Sequence, residues 1–168
     1  ALYGTMLHND IFNFLRLGTF IERADNTARI IGARYHRLLP TAAGALGRSD
    51  QSQWEIILRS LAAWRSYKWL KRGHLDPSSV ASFLIIDDRM PRSLSFCYHE
   101  ICTNLLDLET EYGCTYDSGQ CARVLLRELE DGREKDVHRI SLRDFVNRFI
   151  IDNNNLSLTI ASDFNLAP

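Results

Sequence analysis

The residues best suited to chemistry lie in Gly18–His36, GTFIERADNTARIIGARYH, where Glu22, Arg23, Asp25 and Arg29 interrupt an otherwise apolar stretch. An arginine in such surroundings can hold a carboxylate or phosphate, and a glutamate can bind an amine or act as a general base. The plainer alternative is a buried charge network that fixes the register of packed helices. A second group is Asp87-Asp88-Arg89-Met90-Pro91-Arg92-Ser93. There Asp87 or Asp88 can cap the following turn, and Arg89 and Arg92 stand near a helix start, where free N–H groups and the dipole favour an anion. Its plainer alternative is a rigid corner with surface arginines.

Little else in the chain has the spacing of a reactive site. Cys97, Cys102, Cys114 and Cys121 fall at irregular intervals with no Cys-x-x-Cys pair, which argues against structural zinc or a thioredoxin-like motif and for free thiols in a reducing cytosol. The five histidines make no Glu-x-x-His or His-Glu-x-x-His pattern, so neither a metal nor a cofactor is expected. A phosphate-binding glycine loop and a nucleophile–base pair are equally missing. His99-Glu100 reads as a solvated pair, and Trp54, Trp64 and Trp69, which share no helical face, read as packing aromatics.

Composition narrows the classes further. The 168 residues, 45% hydrophobic and 24% charged, suffice for one core of ordinary domain size. Lys and Arg number 20 against 21 Asp and Glu, so no basic field invites nucleic acid. Apolar runs such as Phe83–Ile86 fall far short of the roughly 18 residues of a membrane span. A soluble, cytoplasmic chain is expected. It opens at Ala1 with no basic-then-apolar leader, consistent with a processed chain or a fragment.

The elements that must position these groups are helical. Apolar residues recur at intervals of three and four, and only four prolines, at 40, 77, 91 and 168, punctuate them. The expected fold is all-α: one domain, residues 1–168, forming an antiparallel bundle of about five to six helices joined by short connections. A first helix runs from about Asp10 to Leu39, stopped by Pro40 and followed by a small-residue loop over Thr41–Arg48. A second covers Gln51–Arg72. Asp76 caps a short third, with Pro77 in its first turn. The Asp87–Pro91 segment ends it, and a fourth spans Pro91–Tyr112 with a seam of Leu94, Cys97, Ile101, Leu105, Leu108 and Tyr112. Two more cover Gln120–Glu130 and Leu142–Asn165, the last weakened at Asn153-Asn154-Asn155.

On a wheel of about 100° per residue, Phe14, Leu17, Ile21, Ala24, Ala28, Ile31, Tyr35 and Leu38 form the core seam of the first helix. Gly18, Glu22, Asp25, Arg29, Gly32 and His36 make a stripe on one side, and Arg16, Arg23, Thr27 and Arg34 flank the other. Glu22 and Arg23 thus diverge and must find separate partners, whereas Asp25 stands four residues before Arg29, the favourable order for an ion pair. Gly18 and Gly32 suggest close approach by another backbone or a ligand.

These segments carry a resemblance. FLRLGTFIERADNTARIIGARYHRLLP and LIIDDRMPRSLSFC, with LRSLAAWRSYKWL between them, resemble the alpha-E domain family, all-helical and named for its Glu-Arg motif. The corresponding motif positions are Arg16, Gly18, Glu22, Arg23, Ala24, Asp25, Thr27, Arg29, Pro91, Arg92 and Ser93; Thr19 departs from the usual basic residue. Family members are usually longer, with an earlier Glu-Arg helix, so the resemblance implies the C-terminal half of such a protein. Apolar surface left bare by a missing half would favour a homo-oligomer. The resemblance also implies partners, an ATP-grasp-like ligase or a transglutaminase-like protein, in a peptide synthesis or modification system. Three roles follow: a non-catalytic interaction or scaffold module, an enzyme component holding a peptide or amino-acid intermediate with Glu22 as base, or a structural dimerisation domain.

Overall fold

A computed structural model describes residues 7, 9–35, 48–71, 75–134 and 142–166. Seven helices occur among them: α1 (Asp10–Tyr35), α2 (Arg48–Ser60), α3 (Trp64–Lys71), α4 (Pro77–Ile86), α5 (Leu94–Tyr112), α6 (Asp117–Glu134) and α7 (Leu142–Asp163). The expected all-helical bundle is therefore present. The stop of the first helix at Leu39–Pro40, the loop that follows, and the placement of the Arg34, Tyr35, His36 and Leu38 side chains lie outside what is described.

One seam of α1 builds the core, because Leu17, Ala24, Ala28 and Ile31 are all buried at helical spacing. α1 packs most extensively on α5 and next on α7, while α6 packs on α5 and α7, so α1, α5, α6 and α7 close into a ring of four. Pairings along the ring give its directions. Tyr112 at the end of α5 donates to Asp10 at the start of α1 (3.2 Å), whereas Arg23 and Thr27 meet the residues just before α5. Phe14 meets Phe164, and Gly32 faces Val146, so α7 also runs antiparallel to α1. Ser118 at the start of α6 donates its backbone N–H to Asp163 at the end of α7 (2.8 Å). Each neighbour in the ring is antiparallel, and α4 covers one edge between α5 and α6.

α6 runs Asp117–Glu134 where Gln120–Glu130 is expected, and two other elements differ from expectation for local reasons. The single helix expected over Gln51–Arg72 is broken into α2 and α3 by a left-handed residue, Ala62, at φ 53°. Ala63 N–H donates to the Leu58 carbonyl (2.7 Å) and Ala62 N–H to that of Arg59 (3.0 Å), the paired bonds that finish a helix before it changes direction. That turn allows Leu61, Ala63 and Tyr67 to be buried together. The fourth helix starts at Leu94 rather than Pro91, because Ser93 accepts the Phe96 N–H (3.0 Å) as its cap. Asp76 caps α4 as expected, accepting from Ser79 N–H (2.9 Å).

The asparagine triplet leaves α7 unbroken because its members face different surroundings. Asn153 is buried and Asn154 and Asn155 are exposed. The Asn153 side chain accepts from the Tyr98 hydroxyl (2.9 Å) and donates to the Ile21 carbonyl (3.2 Å), joining α5, α7 and α1 inside the core. Burial of Tyr98, which also packs edge-on against Phe149 at 5.4 Å, pushes its phenol pKa far up and keeps it a neutral donor. Asn153→Leu should therefore strand the Tyr98 hydroxyl and lower stability by about 2 kcal/mol in urea denaturation. Asn154→Ala, on the exposed side of the same turn, should instead gain a few tenths, about 0.5 kcal/mol.

Candidate functional site

The two candidate segments meet in space. Arg23 reaches from α1 to the corner between α4 and α5 and donates to the Pro91 carbonyl (3.1 Å), with its guanidinium 4.9 Å from the Phe20 ring centre. One turn on, the fully buried Thr27 hydroxyl donates to the Arg92 carbonyl (2.9 Å). The corner closes on itself as well. Ser93 hydroxyl donates to the Asp87 carbonyl (2.7 Å), Met90 N–H donates to the same carbonyl (3.2 Å), and Ser93 N–H donates to Met90 (2.8 Å). A corner whose carbonyls point at a packed helix needs donors from that helix, and these two side chains supply them.

The Asp87 carboxylate folds over the same turn. It accepts from Arg89 N–H (3.1 Å) and grips the Arg89 guanidinium through both oxygens at 3.0 and 2.9 Å. This Asx turn is the local capping expected of Asp87, while the start of α5 belongs to Ser93. Arg89 holds Asp87's carboxyl below the ordinary 3.8, and Asp87 in turn raises Arg89. Arg89 is thereby occupied. Arg92 is exposed, and its guanidinium makes no hydrogen bond among the described residues, so its backbone, through Thr27, is the part built into the corner.

The remaining motif residues divide as the wheel requires. Arg16, on the flank of Arg23, pairs with Glu100 of α5 and lies over the Phe12 and Phe20 rings at 5.5 and 5.0 Å. On the opposite stripe Asp25 and Arg29 form the expected ion pair at 2.6 Å, which raises the Arg29 pKa. The second Asp25 oxygen is buried with no hydrogen-bond partner among the described residues. Glu22 is exposed and makes no hydrogen bond or ion pair among the described residues. Among the described residues Glu22 and Arg23 form no closed network: the two adjacent side chains diverge, one to solvent and one to a backbone carbonyl.

Of the two glycines on the stripe, Gly32 shows the close approach, since a Cβ there would stand 3.2 Å from a Val146 methyl; at Gly18 it would meet nothing within 4 Å. His99 and Glu100 diverge, His99 toward Glu130 at 3.4 Å and Glu100 toward Arg16. Trp54 is core, Trp64 is overlaid by Arg59 and Lys68, and Trp69 is 83% exposed and packs nowhere in the core. Burial pushes the Cys97 and Cys102 thiols up to about 12 and about 11, whereas Cys114 and Cys121 are exposed; all four are free. No three His, Cys, Asp or Glu residues cluster as a metal site among the described residues, and no described helix is long and apolar enough to cross a membrane.

One site has no counterpart in the sequence reading. Glu109, its side chain only 7% exposed despite its charge, binds Arg123 (3.1 Å) and accepts the Tyr116 N–H (3.1 Å) where α5 turns into α6.

 The residue keeps only 8% of its surface exposed, so the pair with Arg123 offsets an otherwise costly buried charge. Gly119 makes room for it, because a Cβ there would stand 2.2 Å from a Glu109 oxygen. The only sequence signal is a glutamate beside the apolar seam of α5 and a glycine in the first turn of α6.

Two outcomes test the corner. Thr27→Val keeps the shape but removes the donor to the Arg92 carbonyl, and should cost about 1–2 kcal/mol in urea denaturation, with Thr27→Ser recovering part of it. Because Asp87's carboxyl is depressed in the folded state, its pairing with Arg89 adds stability that is complete above 3.8 and lost as pH falls through the lower folded value. Arg89→Met should therefore be slightly less stable than wild type at neutral pH, and the gap should close in melts run progressively below 3.8.

Comparison with known proteins agrees with this geometry. Residues 1–164 match the family model Alpha-E, described as a predicted alpha-helical domain with a conserved ER motif. No curated protein and no solved structure matches the chain. The match takes in essentially the whole chain rather than one half of it, and the one Glu-Arg dipeptide in the sequence is Glu22-Arg23, on α1. With its helical ring and that motif both in place, the chain belongs to the Alpha-E family.

Proposed function

We infer that the chain is a non-catalytic helical interaction module, which docks a partner protein on the solvent face of α1. The observation that carries this reading is the make-up of that face. Ile11 and Leu15 are 61% and 41% exposed, Leu7 just before the helix is exposed as well, and Gly18, Glu22 and Arg29 continue the same side. An apolar half followed by a charged half suits a protein surface that buries the first and pairs with the second. The bare Gly18 lets a partner backbone come close.

The inward flank supports the same reading, since Arg16, Arg23 and Thr27 already serve the fold. Glu22 as a general base would need a reacting group held beside it, whereas it stands on a convex helix surface open to water. The partner class follows from the resemblance: an ATP-grasp-like ligase or a transglutaminase-like protein acting in peptide synthesis or modification.

Binding of the purified chain to each partner, read by titration calorimetry, tests this. Ile11→Glu should weaken binding by about tenfold or more, as expected when an apolar anchor is lost, and leave the melt unchanged. Glu22→Lys should weaken it to a smaller degree and make it less sensitive to salt. Wild-type affinity in both variants would remove the α1 face from the interaction. Self-association abolished by Ile11→Glu, with neither partner bound, would turn the same face into a dimerisation surface.

A further inference from the structure

An open hollow of about 410 Å³ lies where α5 turns into α6, lined by Thr115, Tyr116, Asp117, Gln120, Arg123, Val124 and Arg127. Its size is within the range of small-molecule sites, and none of the Glu-Arg motif residues contributes to it. Gln120, Arg123, Val124 and Arg127 fall within an arc of about 100° on α6, so they present one face. The Cα atoms of Arg123 and Arg127 are about 6 Å apart along the axis.

Two like charges that close need a reason to coexist. For Arg123 the reason is Glu109, which holds it at 3.1 Å from a nearly buried position and is itself pinned by the Tyr116 N–H and accommodated by Gly119. Arg123 is thus fixed in place with its charge locally offset, and its remaining guanidinium donors are left for the hollow. Arg127 has no such partner among the described residues. Its guanidinium, the Gln120 amide and the Thr115 hydroxyl make no hydrogen bond among the described residues. Tyr116, its ring tilted 45° against Phe164 at 4.3 Å, and the half-exposed Val124 add an apolar surface beside these donors.

We propose that this hollow is a binding site for a small, singly charged carboxylate with an apolar or aromatic body. The carboxylate lies between Arg127 and Gln120, with Arg123 as a fixed second donor, and the body lies on Tyr116 and Val124. A single charge is favoured over the double charge of a phosphate monoester, because Glu109 offsets Arg123 and Asp117 adds a negative charge at the rim. The site does not depend on docking at α1.

The test is an amide-proton NMR titration of the full chain with N-acetyl-phenylalanine, its carboxamide and phenyl phosphate. The carboxylate should give saturable shifts centred on residues 115–127 and bind about tenfold more tightly than the carboxamide, the effect of one charge-assisted pair. Arg127→Gln should lose about the same factor with an unchanged thermal melt, since the exposed Arg127 makes no hydrogen bond or ion pair among the described residues. Equal affinity for the carboxamide, shifts centred elsewhere, or no saturation would overturn the site. Tighter binding of phenyl phosphate than of the carboxylate would overturn the single-charge assignment.

Discussion

The structure depends on how α1 satisfies the backbone of the corner that precedes α5. Between Ile86 and Leu94 the chain leaves one helix, turns, and starts another beneath α1, so the Arg92 carbonyl meets the buried Thr27 and the Pro91 carbonyl, at a more exposed edge, meets Arg23. Each such group, if left without a donor, costs about 1–3 kcal/mol. Arg23 and Thr27 remove that cost from a distance of more than sixty positions in sequence. They also set where α5 begins relative to α1, and through that register the Tyr112–Asp10 contact at the far end. Once α1 and α5 are aligned, the Ile21 carbonyl and the Tyr98 hydroxyl are both placed to meet Asn153, and α7 has its position.

Much of this was legible in the sequence, and the failures share a cause. The wheel of α1 separated Arg16, Arg23 and Thr27 from Glu22, Asp25 and Arg29, and the structure keeps that separation, because helical geometry alone decides it. The Asp25–Arg29 pair and the Asp76 cap are likewise local. What side-chain spacing could not reveal was a main-chain partner, the Pro91 carbonyl that accepts from Arg23. The break at Ala62 hid for a related reason. The left-handed position that usually shows as glycine is filled by alanine, held there by the burial of Leu61, Ala63 and Tyr67. Asn153 looked like a weakness in α7 because polarity was visible and its two partners on other helices were not.

The Glu-Arg pair is best understood as two residues with separate duties, sharing a helix turn but not a face. One consequence concerns the choice of arginine. A planar guanidinium can lie 4.9 Å from the Phe20 ring centre while its edge donates to the Pro91 carbonyl; an ammonium has no flat face to stack and gives up more hydration when half-buried. Position 23 therefore calls for more than positive charge. Position 22 is exposed and makes no hydrogen bond or ion pair among the described residues, so the described fold does not use its carboxylate. Arg23 thus belongs to the α1–α5 contact, while Glu22 stands with the exposed Ile11 and Leu15 on the solvent face of α1.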